Sequence, residues 1–422
     1  MNDRAKLTAL AERYVATRAA TEALATGLSD EDQVLQSMPQ TSPVKWHRAH
    51  TAWFFESFVL GPAGIAPIDE RYAFLFNSYY DTIGERVPRA KRGLVSRPSA
   101  REVGDYRRAV DEGVLALIDR VGDDGDGERA ESLAQIIELG LNHEEQHQEL
   151  ILTDILHAFS EQPLHPVYRT GAVARTTASP PCRFLAFDGG LVEIGAPPSG
   201  FAFDNERPRH RVFLEPFALA SRPVTVGEVK AFIAEGGYHT PTLWLAEGYA
   251  TARAMGWEAP LYATCDGDGY RVFTLRGWYA PSDDTPASHL SFWEAEAVAR
   301  FLGGRLPTEA EWEHAAASVD ALAAGRWADD GVLVPLPVAS EGLGQLFGDV
   351  WEWTRSGYEP YPGYRIAAGA LGEYNGKFMA QQNVLRGGSC LTPRGHVRAS
   401  YRNFWPPETR FQMSGARLAR DV

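Results

Sequence analysis

The chain has 422 residues, 44% of them hydrophobic and 23% charged, which suits two or three globular domains with sizeable cores. Its 41 basic against 55 acidic residues leave a net charge of −14, excluding a protein that grips nucleic acid or an anionic membrane by charge. No apolar run approaches the roughly 18 residues that span a bilayer. The opening MNDRAKLTALAERY is charged throughout and lacks the apolar core of a secretion signal. Three cysteines (Cys182, Cys265, Cys390) make no disulfide framework, so the expectation is a cytoplasmic protein.

In chain order, residues 4–28 are rich in Ala, Leu, Arg and Glu and predict a first helix; Val44 to Leu60 predicts a second. A third follows Pro98, with Ser99 as its cap, and a fourth runs from Glu128 to Phe159. Four helices of this length fit an antiparallel bundle. The link from Gly61 to Arg97 is too long for a simple bundle connection, and long ordered loops tend to carry sites. After Tyr168 the pattern changes to short strand-like runs, FLAFDGGLVEIG and HRVFLEPFALA, separated by Gly, Pro and Asp. Two further helices are expected over Thr225–Glu235 and Ser291–Leu302. Eleven tryptophans, most of them after residue 240, suggest an irregular domain stapled by aromatic rings.

The fourth helix carries the chemistry. In ELGLNHEEQHQELILTDIL, His143 and His147 are four apart and share a stripe with Ile136, Leu139, Leu150 and Asp154. Such a pair is either two satisfied core residues or part of a metal site. In KWHRAHTAWFFE, His50 shares its stripe with Trp46, Trp53 and Phe54, adding a third inward imidazole. His47 lies about 60° round the same helix and stays open as an alternative. Three neutral imidazoles suit Fe(II), Zn or Cu, and spacing does not choose among them.

WHRAHTAWFFE followed by HEEQHQE resembles the DinB-like domain of the EgtB family, the sulfoxide synthases of ergothioneine biosynthesis. The resemblance matches that family's H-x-x-x-H-x-E element to His143, His147 and Glu149, and its upstream ligand to His50. Residues 288–317 (SHLSFWEAEAVARFLGGRLPTEAEWEHAA), 347–354 (FGDVWEWT) and 384–390 (VLRGGSC) resemble the formylglycine-generating-enzyme fold, a loop-rich relative of C-type lectins. Here Trp293, Trp312, Trp351 and Trp353 are expected to pack the core. The formylglycine enzymes use an active-site cysteine pair to hold copper. Only Cys390 lies in a comparable motif, and that rival leaves the histidines unexplained. The expected fold class is therefore α+β, with a DinB-like four-helix bundle over residues 1–170 and a formylglycine-generating-enzyme-like domain over 171–422.

The resemblance implies an enzyme that uses Fe(II) and O₂ to join the sulfur of a cysteine-type thiol to the imidazole C2 of hercynine. It assigns His50, His143 and His147 to the metal, and Gln146, Asn403 and neighbouring Phe404 to hercynine. The family branch that uses γ-glutamylcysteine carries an Asp where this chain has Trp405, and takes its catalytic tyrosine from the C-terminal domain. No C-terminal tyrosine stands out here, whereas Tyr79 and Tyr80 in FNSYYDTIGERVPR resemble the branch that uses free cysteine. A phenol can supply a proton without being ionised at rest. Arg86 and Arg89, with Lys91 and Arg92, form a basic run suited to a substrate carboxylate. Alternative readings are a relative acting on histidine (the ovothiol-type reaction) or on a selenium donor, and a thiol- or metal-binding module without redox turnover.

Overall fold

A computed structural model of the chain describes residues 3–171, 173, 179–266, 269–339, 342–366 and 370–422. They form two compact units, Met1–Pro163 with Ala367–Tyr374, and Leu164–Ile366 with Asn375–Val422. Among the described residues no helix is long and apolar enough to cross a membrane.

The first unit is built on α1 (Asp3–Ala25), α2 (Val44–Phe55), the short α3 (Arg71–Phe76), α4 (Ala100–Asp124) and α5 (Gly127–Glu161). Helix α1 packs on α4 and α5, and α2 on the same two. α2 runs on into one π-helical turn, Glu56–Leu60. Local chemistry sets the boundaries. Ser99 Oγ accepts from the Glu102 N–H while the Glu102 carboxylate accepts from the Ser99 N–H, a reciprocal cap on α4. Asp126 caps α5 by accepting from the Arg129 N–H. The shared core contains Tyr14, Phe55, Val110, Val114, Ile137 and Leu141, all fully buried.

One glycine decides how closely α2 and α5 approach. A Cβ on Gly140 would lie 2.5 Å from the Phe55 ring, so only hydrogen fits one turn before His143. The buried face of α5 matches the expected stripe only in part. His143, His147 and Asp154 are buried, but Ile136, Leu139 and Leu150 are half-buried, and the fully buried positions include Ile137, Leu141, Glu144 and Ile151 instead. The difference follows from α1, whose Arg18 and Thr21 draw Glu144 inward: Arg18 Nη1 donates at 2.8 Å, Thr21 Oγ1 at 2.6 Å, and Arg107 of α4 adds a third bond at 2.7 Å.

The second unit contains β1 (Phe184–Phe187), β2 (Gly190–Ile194), β3 (His210–Leu214), β4 (Phe217–Ala220), α6 (Val226–Ala234), α7 (Ala246–Ala254), β5 (Ala263–Asp266), β6 (Gly269–Thr274), β7 (Gly277–Tyr279), α8 (Phe292–Phe301), α9 (Glu309–Ala316), β8 (Trp351–Gly357), β9 (Asn383–Arg386), β10 (Asn403–Trp405), β11 (Ser414–Ala416) and β12 (Ala419–Asp421). Its largest sheet has the order β10-β9-β8-β11. Thr225, Ser291 and Thr308 each open a helix with a capping box. Trp312, Trp351 and Trp353 are fully buried, whereas Trp293 is half-buried against Gly248.

Candidate metal centre

Helix α2 delivers His50 between two indoles. Trp46, one turn before, stacks on it at 4.7 Å, and Trp53, one turn after, at 5.6 Å. The carbonyl of Phe76, closing α3, accepts from His50 Nδ1 at 2.6 Å. That bond places the proton on Nδ1 and leaves Nε2 with a lone pair. Helix α5 presents His143 and His147 with their rings 4.6 Å apart. One nitrogen from each of His50, His143 and His147 lies within 4.8 Å of the others.

Burial holds all three rings neutral, with the neighbouring imidazoles adding to the effect at His50 and His147. His143 is pushed down to about 3, chiefly by burial. His50 Nε2 and His143 Nε2 face each other at 3.2 Å, and His143 Nδ1 is buried without a hydrogen-bond partner. Neutral nitrogens converging in a buried interior fit a cation that takes imidazole ligands. His47, the alternative from the same helix, faces elsewhere: its Nδ1 meets His147 Nδ1 at 2.8 Å, and its Nε2 meets Asp154 Oδ2 at 3.0 Å.

Residues 13–151 match the DinB superfamily. Residues 171–335 and 335–422 match the sulfatase-modifying factor enzyme 1-like domain. Hercynine oxygenase of Mycolicibacterium smegmatis is 31% identical, over 92% of this chain and 93% of that protein. The chain belongs to the hercynine oxygenase (EgtB) family. The homologue from Mycobacterium tuberculosis, of the same name, is 29% identical over 93% of this chain and 94% of its own length. A formylglycine-generating enzyme of Streptomyces coelicolor is 31% identical, but over only 53% of this chain. In this hercynine oxygenase family member the three cysteines form no disulfide: Cys182 is half-buried, Cys265 exposed and Cys390 buried.

Around the histidines of this family member, Gln146 is half-buried and accepts a hydrogen bond from the Tyr374 hydroxyl. The Tyr374 ring stands edge-on to His143 at 5.5 Å and lies 6.1 Å from the ring of Tyr79. Tyr80 packs on Tyr79, Trp53 and Phe58, and its phenol is raised by burial. The sequence offered no C-terminal tyrosine for this position; the structure supplies Tyr374. Glu373 seats it, accepting from the Asp81 and Thr82 N–H groups at 2.9 and 3.0 Å and from Thr82 Oγ1 at 2.7 Å. Gln146 and Tyr374 are 228 residues apart, and no periodicity or spacing signals such a pair. A tyrosine from the C-terminal half therefore stands beside the pair expected from the N-terminal half.

The basic run divides by partner. Arg86 forms an ion pair with Asp81, so its charge is already matched. Arg89 is exposed. Arg92 is the buried one: it lies 3.5 Å above the Trp46 ring, donates to Ser42 Oγ at 3.0 Å, and leaves Nε without a partner. Among the described residues Arg92 has no ion pair, so it is the guanidinium best placed to gain from an anion. Asn403, Phe404 and Trp405 form β10 in the second unit, paired with Leu385, Val384 and Asn383. Phe404 stacks on Tyr358 at 3.9 Å, Trp405 meets Phe411 edge-on, and Asn403 Oδ1 accepts from the Phe404 N–H.

Proposed function

We propose that the protein joins the sulfur of cysteine to the imidazole C2 of hercynine (N-trimethylhistidine), consuming O₂, with iron(II) held by His50, His143 and His147. The observation that carries this reading is the convergence of three buried, neutral imidazoles in a member of the hercynine oxygenase family. Iron(II) supplies the one-electron chemistry by which O₂ reacts with such substrates, and it favours the thiolate of a thiol bound to it. In the overall change a C–H and an S–H bond break, a C–S and an S–O bond form, and the second oxygen atom leaves as water.

The chain's own residues bind, orient and protonate. Arg92 receives the carboxylate of an amino-acid substrate, offering a charged donor that burial has left unmatched; Arg89 neighbours it in sequence, and Arg86 acts only by exchanging Asp81. Gln146, held by Tyr374, presents its amide to hercynine. The cluster of Tyr79, Tyr80 and Tyr374 is the proton source, with Tyr374 edge-on to His143; burial raises the Tyr80 phenol and keeps it protonated at neutral pH. The family resemblance assigns Asn403, with Phe404 beside it, to hercynine, whose trimethylammonium group is accepted by aromatic rings and donates no hydrogen bond. Trp405 places an indole where the γ-glutamylcysteine branch has an Asp, so free cysteine is the preferred thiol.

Anaerobic iron(II) reconstitution followed by product mass spectrometry tests the reading. Hercynine with cysteine should give the sulfoxide, with kcat/KM about tenfold or more above that for γ-glutamylcysteine, roughly 1.4 kcal/mol. Alanine at His50, His143 or His147 should remove both iron and product. A His143→Ala protein with full iron and full turnover refutes the metal assignment. A preference for γ-glutamylcysteine refutes the thiol assignment.

A further inference from the structure

We propose that His47 and Asp154 form a relay that holds His147 with its proton on Nδ1 and turns Nε2 toward the metal, making both of them positioning residues of the centre. This rests on the metal-centre reading above. His47 occupies the turn of α2 before His50, and Asp154 lies two turns beyond His147 on α5. Both are buried, at 2% and 4% exposure.

The proton assignment follows from the donor inventory. A carboxylate only accepts, so the 3.0 Å contact to Asp154 Oδ2 puts a proton on His47 Nε2. With the rings neutral, His47 Nδ1 is then a bare acceptor. The 2.8 Å contact between the two Nδ1 atoms has room for one proton, which belongs to His147. His147 Nε2 is left with its lone pair free for the cation. The carboxylate is itself fixed, because Asp154 Oδ2 also accepts from the Ser42 N–H at 2.7 Å, just ahead of α2. His50 reaches the same tautomer through the Phe76 carbonyl, a neutral acceptor. The ligands thus differ: His147 is backed by an anion through a second imidazole, which raises its basicity and favours the more oxidised metal.

The alternative is a clamp that only fastens α2 to α5. Chelator competition for Fe(II) and the reduction potential of the bound iron, both measured anaerobically on the full chain, separate the two. His47→Leu removes the acceptor and strands the His147 proton, so Fe(II) affinity should fall about 10–100-fold. His47→Asn, which keeps a carbonyl oxygen near the place of Nδ1, should recover most of that loss. Asp154→Asn keeps an oxygen for Ser42 and His47 but drops the charge, so the potential should rise while thermal stability stays near wild type. Unchanged affinity in His47→Leu overturns the relay, as does an unchanged potential in Asp154→Asn; the second measurement decides alone if His47→Leu fails to fold. A wild-type chain that binds Fe(II) no better than His143→Ala overturns the metal centre beneath it, a result distinct from either.

Discussion

The second unit and the first both bury charge and polar rings, but they satisfy them differently. In the second, Glu309 accepts from Arg386 and twice from Arg402, at 2.9 to 3.0 Å. Glu352 accepts from Arg417 and from the Trp312 indole, at 2.7 to 3.1 Å. Glu309, Trp312, Glu352 and Arg386 come from the RLPTEAEWE, GDVWEWT and VLRGG runs, and Arg402 and Arg417 reach them from further along the chain, tying distant loops together. In the first unit, Arg92 Nε and His143 Nδ1 are buried without partners, and two imidazole Nε2 atoms face each other. An unmatched buried polar group costs about 1–3 kcal/mol. Unpartnered buried atoms also occur in the second unit, at His289 Nδ1, Trp327 Nε1 and Arg386 Nε; what sets the first unit apart is that His143 Nδ1 belongs to the histidine cluster and Arg92 stacks on Trp46, which in turn stacks on His50.

The contrast can be broken most sharply at Glu352. Glu352→Gln leaves Arg417 fully buried without a counter-charge and should destabilise the second unit by about 3–5 kcal/mol. Chemical denaturation would show it, with Fe(II) affinity of the remaining folded protein unchanged. A loss below about 1 kcal/mol would mean that the paired network is not scaffold.

Arg92→Met should behave in the opposite way. Removing a cation that has no ion pair among the described residues should leave thermal stability equal or higher. The KM for the thiol should rise about 10–100-fold, the value of a charge-assisted hydrogen bond of roughly 1.5–3 kcal/mol. A protein that loses stability but keeps its KM would place Arg92 with the scaffold.

Acidification gives the mildest test. Burial lowers the pKa of His47, His50, His143 and His147 in the folded state, so the unfolded chain binds protons first. Their contribution to stability is whole above pH about 6.5 and is lost as pH falls toward the folded values, at about 1.4 kcal/mol per pH unit for each ring. Iron-free protein should therefore weaken between pH 6.5 and 5, and iron-loaded protein should weaken less, because bound metal resists protonation of its ligands. Equal stability of the iron-free protein at pH 7 and pH 5, measured by thermal unfolding, would contradict neutral histidines.

The cluster of His50, His143 and His147 was legible because its signal is local. An i,i+4 pair on one helix and a W-x-x-x-H-x-x-W pattern on another each follow from 3.6 residues per turn. The indoles at those spacings are the ones that stack on His50. The basic run was legible as a run but not as individual roles: which arginine lacks an ion pair depends on Asp81 and Trp46, and on how the 61–97 link folds back. Tyr374 was not legible, since Glu373 brings it to loop residues about 290 positions earlier in the chain.

By itself the sequence determined what short-range physics controls. That covers four helices and the Ser99 cap of the third, the alternation of strands and turns after the first domain, and three imidazoles on two apolar helix faces. Tertiary structure decided the pairings. It joined His47 to Asp154 and Tyr374 to Gln146, and it buried Arg92 with no ion pair among the described residues. The physical reason is range: periodicity and capping are fixed within a few residues, whereas a hydrogen bond or ion pair between distant segments exists only after packing has brought them within about 3 Å.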